Sequence, residues 1–396
     1  MSWKKEELGK ICKTSSGGTP SRKYPEYYEN GEIPWVKSGE LENNTIISAE
    51  ECISRDGLEN SNAKIFPPGT LLIALYGATI GKLAFLGIEA ATNQAVCGIF
   101  ENEKVTLKYL YYFLLFNRPN LIKKGMGGAQ SNISQTILKQ LLVPYPVSMN
   151  AQMDIVSRIE ELFSKLDKGV ETLQTIKQQL AVYRQAVLKE TFSNVLGKKT
   201  LIKDVCNAIK VGIVIKPTQY YVQTGGVFAF RNSNVRRGCI EDKDWVMISK
   251  SGHHANSRSE VHAGDVLISR SGVNLGMAAV VPERFDGYNA IDVIIAVPEQ
   301  TKLLPEYLVH YTNSPYGQEI VKERERGAAQ AHLNVKVYGN LSISIPTMEV
   351  QKEVVTKIEK QLSLCDNIEQ TVDEALAQAD AMRQSILRQA FEGGII

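Results

Sequence analysis

Many hydrophobic positions of this chain lie in short runs of β-branched and aliphatic residues that are interrupted by glycine, asparagine and proline. This pattern is typical of strands. These runs lie at 70–76, 95–100, 265–269 and 292–297. A stretch with helical character follows the runs in each half of the chain, at 107–116 and at 304–311. The pattern predicts two α+β modules, each built on a mostly antiparallel or mixed sheet.

Two longer stretches carry apolar residues three or four positions apart over about four heptads, which is typical of long helices with one apolar stripe. The first stripe is Ile159, Leu162, Leu166, Val170, Leu173, Ile176, Leu180, Tyr183 and Val187. The second stripe is Ile358, Leu362, Cys365, Ile368, Val372, Ala375, Ala379, Met382 and Ile386. Each stretch starts soon after a proline, Pro146 or Pro346, beyond which a helix cannot extend backwards.

A helix of about 40 residues spans roughly 60 Å, and a stripe of that length is too long to be buried on one small domain. We therefore predict that the two helices pack on each other as an antiparallel coiled coil. The alternative is that each helix flanks its own module. We also expect Leu188, Phe192 and Phe391, near the helix ends, to expose apolar surface to partner subunits.

Both kinds of pattern occur twice, roughly 194 to 200 residues apart, which indicates a duplicated globular unit because solenoid repeats are much shorter. For example, Gly69 to Gly77, followed by Gly81, returns as Gly264 to Gly272, followed by Gly276. The predicted domains are a first module at 1–149, a long spacer helix at 150–199, a second module at 200–347 and a second long spacer helix at 348–396. Two similar but different modules suit a task that needs two related contacts.

The composition is that of an ordinary soluble protein, with 43% hydrophobic and 22% charged residues. No apolar run reaches the length of a membrane span and the chain opens without a secretory segment, so we expect a cytoplasmic protein that does not enter a membrane. The six cysteines lie far apart without a Cys-x-x-Cys pair, which favours free thiols. A net charge of +2 does not by itself indicate that the chain binds nucleic acid. A nucleic-acid-binding protein of this composition would need its basic residues gathered on one face.

Two motifs have the outward form of catalytic or metal sites. Gly77 to Lys82 is one residue short of a phosphate-binding loop, and Leu83 stands where a magnesium-binding hydroxyl is needed, so we predict a tight turn. His253 and His254, near His262, have no cysteine or carboxylate at metal-ligand spacing, so we predict a surface loop and no metal site. Without any nucleophile–base arrangement, the chain is predicted not to be an enzyme.

Several segments together resemble the specificity subunit of type I restriction–modification enzymes. They are Ser16-Gly-Gly-Thr-Pro-Ser-Arg-Lys23, the run from Tyr27 to Gly39, Ala91-Thr-Asn-Gln-Ala-Val-Cys-Gly98, Gly128-Ala-Gln-Ser-Asn-Ile-Ser134 and Gly327-Ala-Ala-Gln-Ala-His-Leu-Asn334. The two long helices, ending in Arg184-Gln-Ala-Val-Leu188 and Arg383-Gln-Ser-Ile-Leu387, are similar to that family's spacer regions. The second module departs from the pattern at 212–221, where no Gly-Gly-Thr-Pro occurs, so contacts there are not carried over.

The resemblance implies two pseudo-symmetric α/β target-recognition domains separated by the two long helices. Each domain would read one half of an asymmetric, interrupted site in double-stranded DNA. Two methyltransferase (M) subunits would bind this chain and carry S-adenosylmethionine, and two restriction (R) motor subunits would optionally join and use ATP. This chain would itself bind no cofactor. The competing hypotheses are a coiled-coil scaffold that joins protein partners without reading DNA, and an enzyme that has lost its catalytic part.

Polar loop positions that differ between the aligned modules are the predicted DNA-binding residues. Arginine can grip guanine and asparagine can grip adenine, whereas most lysines would hold phosphates. In the first module the candidates are Lys23, Lys37, Ser38, Tyr76, Thr79, Lys82, Lys124, Gln130, Ser131 and Asn132. In the second module they are Arg231, Asn232, Asn234, Arg236, Arg270, Ser271, Asn274, Gln330 and His332. For any single one of these, a solvated surface position is the alternative.

Overall fold

The computed structural model of the chain describes residues 2–125, 132–319 and 332–393. These residues form two compact units. Unit 1 comprises Met1–Thr172 with Ala375–Ile396, and unit 2 comprises Leu173–Glu374. Each unit therefore contains one strand-rich module and a segment of each long helix.

Unit 1 contains eleven described strands and four short or medium helices before the first long helix. The strands are β1 (Trp3–Glu7), β2 (Thr14–Ser16), β3 (Ile33–Val36), β4 (Asn44–Ile46), β5 (Glu51–Ile53), β6 (Ile65–Phe66), β7 (Leu71–Ala74), β8 (Leu83–Leu86), β9 (Ala90–Thr92), β10 (Val96–Ile99) and β11 (Leu142–Pro146). The helices are α1 (Leu8–Ile11), α2 (Arg55–Glu59), α3 (Leu107–Gly125) and α4 (Gln135–Lys139), followed by the long α5 (Met149–Asn194). Within these residues the strands form sheets ordered β2-β10-β7-β8-β4, β5-β3-β9-β6 and β1-β11.

Unit 2 has a similar arrangement with ten described strands. Its described strands are β12 (Lys198–Leu201), β13 (Cys206–Val211), β14 (Tyr221–Val222), β15 (Val227–Phe230), β16 (Val246–Ile248), β17 (Val266–Ser269), β18 (Ala278–Val280), β19 (Asn289–Ala290), β20 (Val293–Pro298) and β21 (Ser342–Ile345). Its helices are α6 (Lys250–Ala255), α7 (Pro305–Asn313), α8 (Val335–Gly339) and the long α9 (Met348–Arg388). The sheets are β13-β20-β17-β18, β14-β16-β15-β19 and β12-β21.

Most strand pairs are antiparallel, and the β3–β9, β4–β8 and β15–β19 pairs are parallel, so the predicted α+β modules with mixed sheets are confirmed. The central strands explain the apolar runs of the sequence. On β7, Leu71 and Ile73 pack towards α3, whereas Leu72 and Ala74 pack towards the neighbouring sheet. Because alternate side chains of a strand point to opposite faces, a strand buried on both faces must be apolar throughout.

A buried glutamine fixes the start of each long helix. The Gln152 side-chain amide donates to the carbonyls of Lys104 and Pro146, both at 2.9 Å, and its oxygen accepts from the Thr106 backbone N–H at 2.9 Å. Gln351 repeats this arrangement with the carbonyls of Lys302 and Pro346 and the N–H of Leu304. Both side chains are fully buried. Each long helix is thereby tied to the entry of the preceding medium helix and to the strand before it.

The two long helices run antiparallel within each unit. In unit 1, Asp167 of α5 pairs with Arg383 of α9, whose guanidinium also lies 5.4 Å from the Phe163 ring centre. In unit 2, Lys177 lies 2.7 Å from Asp373, and Arg184 lies 2.6 Å from Asp366. Each step forward along α5 is matched by an equal step backward along α9, so both units have the same helix register. The predicted antiparallel pairing is confirmed.

The expectation that Leu188, Phe192 and Phe391 expose apolar surface is wrong, because Leu188 and Phe391 are buried and Phe192 is half-buried. Phe391, just beyond α9, is 7% exposed, and its ring centre lies 5.3 to 5.7 Å from those of Tyr109, Phe113 and Phe116 in unit 1. In unit 2, Leu188 is buried and Phe192 packs against Tyr307 and Tyr311 of α7. The end of each long helix therefore completes the core of a module, because its aromatic side chain packs on the medium helix there.

The surface-loop interpretation of the histidines also needs correction. His253 and His254 lie on α6, and His253 Nδ1 is 3.2 Å from the Asn289 side-chain amide. His253 is half-buried, whereas His254 and His262 are exposed, and the His262 ring lies 3.4 Å from Asp286. Across residues 2–125, 132–319 and 332–393, no group of three or more His, Cys, Asp and Glu could hold a metal ion. Over the same part of the chain, no helix combines the length and apolar character needed to cross a bilayer.

Removing the buried glutamine should loosen the start of a long helix. We expect Gln351→Ala to lower the free energy of unfolding by about 2–4 kcal/mol, because two buried carbonyls and one N–H lose their partner. Urea denaturation measures this change. Gln178→Ala, at an exposed position of α5, should change it by less than about 0.5 kcal/mol. Equal effects of the two substitutions would contradict a structural role for Gln351.

The aromatic packing at the helix ends predicts a unit-specific effect. We expect Phe391→Ala to destabilise unit 1 by about 3 kcal/mol, because it leaves a cavity among three aromatic rings. Native-state hydrogen exchange should accelerate in α3 with α7 unchanged, and Phe192→Ala should accelerate exchange in α7 with α3 unchanged. Uniform acceleration throughout the chain by either substitution would show that the two units do not respond separately.

Candidate nucleic-acid interface

The glycine-bounded segments predicted as tight turns connect β7 to β8 in unit 1 and β17 to β18 in unit 2. In unit 1, the Gly81 N–H donates to the Ala74 carbonyl at 2.8 Å, and the Lys82 N–H donates to the Thr79 carbonyl at 2.8 Å. In unit 2, Gly276 and Met277 make the equivalent bonds to Ser269 and Asn274. The four bounding glycines, Gly77, Gly81, Gly272 and Gly276, have φ between 72° and 86°, where a side chain would be strained. The tight-turn prediction is therefore confirmed in both units.

Two other predicted segments adjoin this turn. The Ile133 N–H donates to the Leu75 carbonyl at 2.7 Å, and the Leu333 N–H donates to the Arg270 carbonyl at 3.0 Å. These bonds place Asn132 and His332 next to the start of the turn in their respective units. Asn132 also forms a backbone bridge with Tyr76.

The third segment follows β3 in unit 1 and β15 in unit 2. It opens with a short 3-10 turn in each case, at Ser38–Glu40 and at Asn232–Asn234. The Lys37 N–H donates to the Glu40 carboxylate at 2.7 Å, and the Arg231 N–H donates to the Asn234 side-chain oxygen at 2.9 Å. Asn232 bonds to Ser271 and Arg270 in unit 2, and the Leu83 N–H donates to the Asn43 side chain in unit 1. The described residues of the three predicted loop segments therefore lie close together in each unit. We refer to each set of three segments as a loop cluster.

Carboxylates that the sequence did not single out pair with Arg22, Lys37 and Lys82 in and beside the unit 1 loop cluster. Lys37 Nζ lies 3.0 Å from Glu50 and 3.1 Å from Glu51, and its pKa is raised by these two hydrogen bonds. Arg22 binds Glu51 at 2.5 Å, and this bond, with that from Lys37, lowers the pKa of Glu51. Lys82 lies 3.4 Å from Glu42.

In unit 2 the loop cluster is organised around Asn232. Its amide nitrogen donates to the Ser271 hydroxyl at 2.8 Å and to the Asp292 carbonyl at 2.9 Å. Its oxygen accepts from the Ser269 hydroxyl at 3.0 Å and from the Arg270 N–H at 2.8 Å. Unit 1 has Ser38 at this position, and its turn is anchored instead by a backbone bond from Leu75 to Ala95 at 2.7 Å.

Three asparagines predicted to bind DNA serve the framework of unit 2 in this conformation. Asn234 is 1% exposed, and its amide donates to the carbonyls of Glu241 and Lys243. Asn274 is 5% exposed and donates to the Asn232 carbonyl at 2.9 Å. Neither side chain has surface to offer a DNA groove, so both are removed from the candidates. The amide of Asn232 is engaged by the four bonds described above, so it shapes the turn.

The remaining candidates keep accessible surface. Exposed residues are Lys23, Lys124, Asn132 and His332, and partly exposed ones are Ser38, Tyr76, Thr79, Arg231 and Ser271. Arg231 and Arg236 are held by the Asp244 carbonyl and the Glu241 carboxylate, respectively. Arg270 lies 3.1 Å from Asp292, a carboxylate that sequence comparison did not single out. Gln130, Ser131 and Gln330 lie outside the described residues.

Residues 1–181 match the family model described as "Type I restriction modification DNA specificity domain". Among similar proteins, the EcoBI specificity subunit of Escherichia coli is 27% identical over 77% of this chain and 69% of its own length. The EcoKI specificity subunit of Escherichia coli strain K12 is 23% identical over 93% of this chain and 83% of its own length. The similarity to both relatives therefore extends well beyond the first module of this chain.

Two solved structures have the same fold. One, described under "Structural basis underlying complex assembly and conformational transition of the type I R-M system", has a TM-score of 0.75 at 18% identity and covers 99% of this chain and 98% of that chain. The HsdS subunit from Thermoanaerobacter tengcongensis has a TM-score of 0.54 at 18% identity, covering 100% and 97%. The chain is thus similar over most of its length to type I restriction–modification specificity subunits, and its residues 1–181 match the DNA specificity domain of that family.

Proposed function

We propose that this chain recognises a bipartite, interrupted, asymmetric DNA site, with one loop cluster reading each half. The family model that residues 1–181 match is described as a DNA specificity domain, which supports this proposal. The assignment of one half-site to each loop cluster is supported by the duplication of one backbone framework with different side chains. Ser38 is aligned with Asn232, and Leu75 is aligned with Arg270. The backbone hydrogen bonds of Gly81 and Lys82 in unit 1 are repeated by Gly276 and Met277 in unit 2. One framework with two sets of side chains would recognise two different base sequences.

Exposed cationic and hydroxyl side chains among the candidate residues support DNA as the ligand. Exposed Lys23 and Lys124 suit phosphate oxygens, and the partly exposed Thr79 and Ser271 offer hydroxyls to bases or phosphates. Several other cations are neutralised by carboxylates, so binding would depend less on bulk charge than in a strongly basic protein. This agrees with a net charge of only +2.

The proposal includes the partners that carry the chemistry. Two M subunits would bind this chain, hold S-adenosylmethionine and methylate DNA, and R subunits would optionally join and use ATP. This chain would act in the cytoplasm, where it would select the DNA site. It would not catalyse a reaction itself. The solved structure with a TM-score of 0.75 is described under complex assembly of a type I system. This description supports the proposed association of the chain with M and R subunits.

Selection from a random DNA pool tests the proposal. The full chain, co-expressed with its M subunits, would be incubated with random double-stranded DNA, and the bound molecules would be sequenced. We expect two conserved half-sites separated by a stretch of fixed length without base preference. A bound pool without any consensus would favour the scaffold hypothesis, because a scaffold would retain DNA only through its partners.

Removing an exposed lysine should act on all DNA sequences alike. We expect Lys124→Ala to weaken binding of the selected site and of unrelated DNA by the same factor and to reduce the salt slope by about 1, since a phosphate contact carries no sequence information. Fluorescence anisotropy at several salt concentrations measures both quantities. Lys168→Ala, an exposed position on α5, is the matched control and should leave the slope unchanged. A change of base preference in the Lys124 variant would show that this lysine contacts a base.

A further inference from the structure

Unit 2 contains an arginine–aspartate pair at the start of its turn that unit 1 lacks. Arg270 Nη1 lies 3.1 Å from Asp292 Oδ1, with the two side chains 17% and 32% exposed. Leu75 occupies the position of Arg270 in unit 1, where it is buried in the core on the α3 side. The same backbone position therefore carries a guanidinium in one unit and an apolar side chain in the other.

Asp292 is held by its surroundings in an uncommon conformation. Its φ is 52°, in the left-handed region that residues other than glycine rarely adopt. The Asn232 amide donates to its carbonyl at 2.9 Å, and the Ser271 hydroxyl lies 3.4 Å from its carboxylate. Backbone strain of this kind is retained where the surrounding structure imposes it, and it is frequent at functional sites. The carboxylate that faces Arg270 is thus fixed in place.

Arg270 is fixed at its backbone and only partly engaged at its side chain. Its N–H donates to Asn232 and its carbonyl accepts from Leu333, which sets the direction in which the side chain leaves the turn. Among the described residues, its buried Nε has no hydrogen-bond partner. A guanidinium has five N–H donors, and Asp292 binds at one nitrogen. Because Nε is buried, the donors that remain for a planar, two-acceptor ligand are those on the two Nη atoms.

We propose that Arg270 reads a guanine in the half-site of unit 2 and that Asp292 is the residue that positions it. The O6 and N7 atoms of guanine are the two-acceptor edge that an arginine fork fits in the major groove. The ion pair with Asp292 restricts the rotamers of Arg270 before DNA binds and reduces its attraction to phosphates of any sequence. The half-site of unit 1 has no such guanine contact, because Leu75 has no donor. This inference rests on the proposed function.

The test compares selected DNA pools from variants of the full chain co-expressed with its M subunits. We expect Arg270→Lys to reduce the preference for guanine at one position of one half-site by roughly 10- to 100-fold, because a single ammonium replaces the planar fork. Asp292→Ala should reduce the preference at the same position. Asp292→Asn retains a side-chain oxygen and tolerates the left-handed backbone, so it should restore part of that preference. The other half-site should be unchanged in all three variants.

Arg284→Gln is the matched control, because Arg284 also faces an aspartate in unit 2 but at 3.8 Å and with both side chains more than half exposed. It should leave every position unchanged. The inference is overturned if the Arg270 variant keeps the full consensus, or if it weakens all positions equally together with a lower melting temperature. A wild-type pool without a consensus would instead reject the proposed function, which separates the two failures. The same guanine lost in both the Arg270 and Asp292→Ala variants would establish the pair.

Discussion

The burial of two long apolar stripes is the constraint on which the rest of this structure depends. Neither stripe can be covered by one small module, so α5 and α9 pack against each other in antiparallel register within each unit. The helix ends then have defined places. Phe391 enters the aromatic cluster on α3, and Phe192 packs on α7. The end of α9, a helix that begins in unit 2, completes the core of unit 1, so unit 1 is built from two separate pieces of chain, whereas unit 2 is the continuous segment Leu173–Glu374.

The buried glutamines extend this constraint to the loop clusters. Gln152 and Gln351 fix where each long helix starts relative to the strand before it and to the medium helix. The medium helices pack against the central strands β7 and β17, whose ends carry the turns. Each loop cluster is therefore held by backbone and core contacts to a central strand, a medium helix and the start of a long helix. This matters for DNA reading, because base discrimination requires donors that are held in one geometry before the ligand arrives.

The sequence predicts the modules, the paired helices and the turns because each depends on a local pattern: apolar runs, heptad spacing, and glycines at fixed positions. It predicts the roles of the loop amides poorly. An asparagine in a loop is equally compatible with a base contact and with a backbone partner far away in the chain. Asn232 bonds to Asp292, 60 residues later, and Asn274 bonds back to Asn232, 42 residues earlier. Only the folded chain determines which of these roles an amide takes.

The carboxylates of the loop clusters explain why the charge of the chain was a poor guide to its ligand. Glu50, Glu51 and Asp292 each face a cation that sequence comparison assigned to DNA. A cation without such a partner attracts every phosphate and so raises affinity for all sequences equally. A paired cation makes less of that indiscriminate contact, and it exchanges its partner only for a group of matching geometry. If the chain reads one DNA site among many, as proposed, lowering non-specific affinity increases specificity as effectively as strengthening the correct contact.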